Sequence, residues 1–105
     1  MIGMGYKRIL LKLSGEALKS GADDVLCYEM LDRVAAAVAG CVKKGVEVGI
    51  VIGAGNIWRG ARQGVGMDRV KADHMGMLAT TINCIAMQDA LVRAGQKAAL
   101  LSSLS

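Results

Sequence analysis

Proline and phenylalanine are both absent from the 105 residues, and aromatic side chains make up only 3%. The interior must therefore be built from Val, Ile, Leu, Met and Ala, with seven methionines making it adaptable. Cysteine is scarce as well. Cys27, Cys41 and Cys84 are odd in number and form no C-x-x-C, which argues against a disulfide framework or a zinc site and suits a reducing cytoplasm. His74 is the only histidine and has no partners at metal-ligand spacing. Lys7 and Arg8 precede only three apolar residues before Lys12, far short of a signal-peptide core. The longest run without formal charge, His74 to Gln88, contains Thr, Asn and Gln and is too short to span a bilayer. The net charge of +4 is scattered, and its densest clusters, Lys7-Arg8 and Lys43-Lys44, have no interleaved aromatics. Neither a membrane nor a nucleic-acid partner is expected.

What remains is a chain with 53% hydrophobic residues, too apolar for disorder and long enough for one small domain with a core. Tyr6 to Leu13 reads as a strand centred on Ile9-Leu10-Leu11 and broken by Ser14-Gly15. Lys19 to Asp24 is polar with a glycine and reads as a loop. From Tyr28 to Lys44, Leu31, Val34, Val38 and Cys41 recur at helical spacing, with Met30 and Val42 beside them. Lys43 and Lys44 suit the negative end of that helix, and Gly45 is a natural terminator. Val46 to Ile52 predicts a strand whose second half is apolar on both faces, as in a buried parallel sheet, and Gly53-Ala54-Gly55-Asn56 ends it. A basic, glycine-bearing loop from Gly60 to Gly66 leads into a helix from Lys71 or Asp73 to Arg93. Met75, Leu78, Ile82 and Ile85 mark its expected buried stripe, and Gly95 ends it. Ala98 to Leu101 reads as the start of a third strand. The alternation predicts an α/β fold with a parallel sheet, and such a sheet needs further elements to cover its faces and edges.

In open α/β sheets, ligands bind beyond the carboxyl ends of the strands. Two glycine turns occupy that position: Lys12-Leu13-Ser14-Gly15 after the first strand and Gly53 to Asn56 after the second. Glycine lets backbone N–H groups approach and aim at an anion, for which phosphate oxygens are natural guests. Lys12 adds charge at the same edge, and Arg59 a bidentate donor just beyond the second turn. Each piece alone also fits a plainer role: Lys12 a strand lysine reaching water, Arg59 a surface residue, Asp73 a helix cap or first-turn acid. The Met75, Met77 and Met87 positions read as core or subunit contact. A G-x-x-x-x-G-K-[ST] loop is absent, and after Gly53-Ala54-Gly55 the next glycine, Gly60, comes one place late for G-x-G-x-x-G. Asp73 opens a helix rather than ending a strand, which further disfavours a nicotinamide enzyme.

Tyr6 to Leu18 and Val46 to Gly60 closely resemble segments of bacterial UMP kinases, members of the amino acid kinase superfamily. Met67-Asp68-Arg69-Val70-Lys71-Ala72-Asp73-His74-Met75-Gly76-Met77-Leu78-Ala79-Thr80 is the most specific match. The resemblance implies a three-layer α/β/α sandwich with a mostly parallel sheet, of which residues 1–105 are the N-terminal portion. It implies ATP and UMP as substrates, Mg²⁺ with the ATP, phosphorylation of UMP to UDP, a cytoplasmic location and a homohexamer. By position, Lys12 corresponds to the catalytic lysine, and Lys12, Leu13, Ser14, Gly15, Gly55 and Arg59 to ATP-binding residues. Ala54 and Asp73 correspond to UMP-binding residues. The alternatives are another phosphotransferase of the superfamily, such as an amino acid kinase, or a non-catalytic fragment or assembly module. Two departures stand out. Ala54 replaces a family glycine, which is harmless only at negative φ. Ala22 to Cys27 lacks the Gly-x-Gly-Ile-Asp segment that relatives carry near a GTP-regulatory region.

Overall fold

The computed structural model describes residues 7–19, 25–58 and 66–99. Strands β1 (Lys7–Leu13) and β2 (Val46–Ile52) pair in parallel, from Lys7 opposite Val46 to Leu13 opposite Ile52. A single 3₁₀ turn, Gly15–Leu18, follows β1, helix α1 (Tyr28–Lys43) joins the strands, and helix α2 (Arg69–Arg93) follows β2. The register puts Leu11, Leu13, Val48, Ile50 and Ile52 on one face, since alternate side chains point the same way. That face packs against the core of Leu18, Leu31, Ala35, Val38, Met87, Ala90 and Leu91. The other face is open: Leu10 is 66% exposed and Val51 49%. β2 is therefore covered on one face among the described residues, where its apolar run had suggested two.

The helix ends follow local chemistry. α1 stops at Gly45, whose φ of +88° suits a residue without a Cβ, and the Gly45 N–H donates to the Val42 carbonyl. α2 begins earlier than its apolar pattern suggested. Asp68 is the cap, its carboxylate accepting from the Lys71 N–H at 3.1 Å, so Asp73 lies inside the helix rather than at its start. At the far end Gly95 has φ +88°, with the Gln96 N–H on the Leu91 carbonyl and the Gly95 N–H on that of Val92. Arg93 donates to Asp89 at 2.9 Å and to Asp32 at 2.7 Å, which pins this end of α2 to α1. Those two bonds, Asp89's first, also hold its guanidinium above the usual pKa.

Two expectations are corrected. The stripe of Met75, Leu78, Ile82 and Ile85 is not buried; these residues are 39%, 55%, 49% and 51% exposed. The buried side of α2 is instead Ala72, Ala79, Asn83, Met87, Ala90 and Leu91. Apolar residues ring this helix, so periodicity could not choose a side. By length and composition α2 also suffices to cross a membrane, counting residues beyond the uncharged run, but one side of it packs into this fold. Second, Ala98 and Ala99 are not in a strand, and Leu100 and Leu101 lie outside the described residues. The Ala98 carbonyl accepts from Gln88 Nε2 at 3.0 Å, which ties this segment to α2. The expected loop at 20–24 and the basic loop at 60–65 also lie outside the described residues.

The packing makes a stability contrast. Leu31→Ala, at a fully buried site, should cost about 2–5 kcal/mol. Leu78→Ala, on the open side of α2, should stay within about 0.5 kcal/mol. Urea unfolding of the two variants at matched m-values measures the difference.

Candidate phosphate-binding site

The two glycine turns touch. The Gly53 N–H donates to the Leu13 carbonyl at 2.9 Å, continuing the ladder one residue past β2. Ser14 stays extended, at φ −73° and ψ 148°, and Gly15 then opens the 3₁₀ turn. A Cβ on Gly15 would lie 2.6 Å from Asn56 Oδ1, 2.6 Å from the Gly55 nitrogen and 2.7 Å from the Gly53 oxygen. No side chain fits there, so only glycine lets the turns meet. In the second turn, the Ala54 carbonyl accepts the N–H groups of Ile57 and Trp58, both at 2.9 Å. No described non-glycine residue has positive φ, so Ala54 sits in its family glycine's place without backbone strain.

Lys12 stands at the carboxyl end of β1, opposite Val51, on the open face of the sheet. It is exposed, and no described residue pairs with it. Lys12, Leu13, Ser14, Gly15, Ala54 and Gly55 are thus brought to one edge. Arg59 lies outside the described residues. Asp73 is exposed on the first part of α2. It is linked to the second turn through its neighbour: the Ala72 carbonyl accepts from Trp58 Nε1 at 3.0 Å, and the Trp58 ring lies beside Gly76.

A buried amide pair beneath the turns is absent from the sequence-based site. Asn56 Nδ2 donates to Asn83 Oδ1 at 2.9 Å, and Asn83 Nδ2 donates back to Asn56 Oδ1 at 2.7 Å. The second N–H of each amide is also used, on the Val25 carbonyl at 2.7 Å for Asn56 and the Gly53 carbonyl at 2.8 Å for Asn83. The signal for Asn83 was a lone carboxamide in an apolar stretch of helix, and its partner could not be read from that.

The donors at this edge are backbone N–H groups and one ammonium, which suit an anion. Among the described residues no group of three or more His, Cys, Asp or Glu could hold a metal ion. The three thiols are free, and burial raises the pKa of Cys84. A separate apolar groove of about 640 Å³ runs beside β2, lined by α1, α2 and residues 96–99, and shares none of these site residues.

The sequence profile of the Amino acid kinase family matches residues 7–105. Uridylate kinase of Stutzerimonas stutzeri is 55% identical over 101 residues, 95% of this chain and 41% of that protein. The crystal structure of UMP kinase from Ureaplasma parvum aligns with a TM-score of 0.79 at 39% identity, over 88% of this chain and 39% of that one. UMP kinase from Bacillus anthracis aligns at 0.75 with 42% identity, over 84% and 36%. The chain thus spans less than half the length of these relatives. A profile match over nearly its whole length, on a parallel sheet ending in two abutting glycine turns, shows that the chain belongs to the amino acid kinase family.

Proposed function

We propose that this chain supplies the phosphate-gripping part of an ATP-dependent UMP kinase, a cytoplasmic enzyme of pyrimidine nucleotide biosynthesis. The observation that carries the reading is the meeting of the two turns at Gly15, with Lys12 at the same edge. The similarity to uridylate kinases supports UMP over other acceptors. In the reaction, an oxygen of the UMP phosphate attacks the γ-phosphorus of MgATP, the bond to the β–γ bridging oxygen breaks, and UDP and ADP result. Little covalent work falls to the protein; it must position the phosphates and offset their charge. Lys12 would offset charge on the transferring group. The N–H groups of Ser14, Gly15 and Gly55, with Leu13 anchoring the turn to the sheet and with Arg59, would hold ATP phosphates. Ala54 and Asp73 would bind UMP, Asp73 by accepting hydrogen bonds from ribose hydroxyls.

The partner reading has its own support. α2 presents Met75, Leu78, Ile82 and Ile85 outward along one stripe, flanked by the exposed Met77. Such a stripe suits contact between copies of the chain, as in a homohexamer. On this reading Ile82→Glu shifts the assembly to smaller species in light scattering coupled to gel filtration, and an unchanged mass removes this face from the interface.

The chemical reading is tested on protein carrying the complete domain, with ATP and UMP, CMP, AMP or amino acids as acceptors in an ADP-release assay. UMP should be preferred; equal use of the others, or preference for an amino acid, overturns it. Lys12→Ala should lower kcat by about 10²–10³ with the fold intact, the scale for losing one preorganised charge-stabilising donor. Gly15→Ala should abolish ATP binding in calorimetry, because its methyl group collides with the backbone of the second turn.

A further inference from the structure

We infer that Asn83 and Asn56 are positioning residues for the phosphate cradle: the amide pair fixes how far apart the two glycine turns stand, without touching the nucleotide. This rests on the nucleotide reading above.

Three observations carry it. First, the pair is buried and complete. Asn83 is 0% exposed and Asn56 8%, and all four amide N–H groups have acceptors between 2.7 and 2.9 Å. Second, it stands apart from the hydrophobic core. The core cluster is apolar and includes neither residue, and these two are the buried polar residues among the described ones. Third, the pair's hydrogen bonds and its closest approach tie the second turn to α2, to the segment ahead of α1 and to Gly15. Asn83 holds the Gly53 carbonyl, Asn56 holds the Val25 carbonyl ahead of α1, and Asn56 Oδ1 lies against Gly15. The hydrogen bonds are directional, so the pair sets the second turn against α2, and Asn56 Oδ1 then meets the first turn by direct contact at Gly15, an arrangement that greasy side chains of equal volume would not fix.

The test exploits that directionality. In Asn83→Asp the shape is kept, but an oxygen replaces the donor and faces the Gly53 carbonyl and Asn56 Oδ1. Asn83→Ser keeps one donor without a charge and carries the same test if Asp at this site prevents folding. Each is compared with Leu91→Ala, a buried core variant about 12 Å farther along α2 than Asn83 and without a hydrogen bond to either turn. The expected result is about tenfold or greater loss of ATP affinity in the Asn83 variants, the scale of two lost neutral hydrogen bonds, with Leu91→Ala unchanged within about twofold. Wild-type affinity in the Asn83 variants, or equal loss in Leu91→Ala, overturns the proposal. The ligand-free ¹H–¹⁵N resonances of Gly15, Gly53 and Gly55 read the turns directly. They should move in Asn83→Ser and stay in Leu91→Ala; unmoved glycines also overturn it. A wild-type chain that binds no ATP sinks the nucleotide reading instead, and the glycine resonances then decide the positioning role alone.

Discussion

Two backbone segments cannot share the space at Gly15 unless residue 15 has no side chain. Its missing Cβ would sit 2.6 Å from one main-chain nitrogen and 2.7 Å from a main-chain oxygen, distances that real carbon atoms do not adopt. The rest of the arrangement follows from that contact. Parallel pairing brings the ends of β1 and β2 level, the extra bond from Gly53 to Leu13 carries the second turn alongside the first, and the carboxamide of Asn56 fills the space beneath. A glycine-rich turn is often explained by the ligand it admits. Here the glycine is required by the protein's own second turn, whatever ligand the edge admits.

The small residues of α2 serve the same contact. Ala72, Ala79 and Ala90 lie on the buried side with Asn83, within an arc of about 40° at 100° per residue. Alanine lets the helix come close, and a short carboxamide can then reach the Gly53 carbonyl at 2.8 Å. Larger side chains there would hold the helix away and leave buried polar groups unpaired, which is costly. The bulky Met75, Leu78, Ile82 and Ile85 are consequently on the other side.

This explains which parts of the fold were legible in the sequence. The α/β class, both described strands, α1 and the glycine that ends it were readable because period, composition and terminators agree there. The meeting of two glycine turns at one sheet edge was readable because Lys12, Gly15 and the Gly53 to Asn56 segment follow two apolar strands. The face of α2 was not. A hydrophobicity pattern ranks leucine and isoleucine above alanine, yet close approach selected the alanines. The cap was misread for a related reason: the apolar pattern begins late, whereas Asp68 starts the helix through a local bond to the Lys71 N–H. The tie between Trp58 and the residue before Asp73 was not legible, since it is an indole bond to the Ala72 carbonyl that no spacing rule encodes.

The open surfaces also have a common physical origin. A parallel sheet is ordinarily covered on both faces, and here helices cover one, leaving Leu10 and Val51 exposed beside Lys12 on the other. Among the described residues, no helix packs on that face. Lys12 stands on that uncovered side. In water its charge is screened, and a lysine there stabilises a phosphoryl group weakly; in a dry, low-dielectric site the same charge acts far more strongly. The cradle can thus hold its geometry in this chain, because the contacts that fix it, at Gly15, Asn56 and Asn83, are all internal. The strength of its electrostatics is a different property, set by how far water reaches the exposed Lys12.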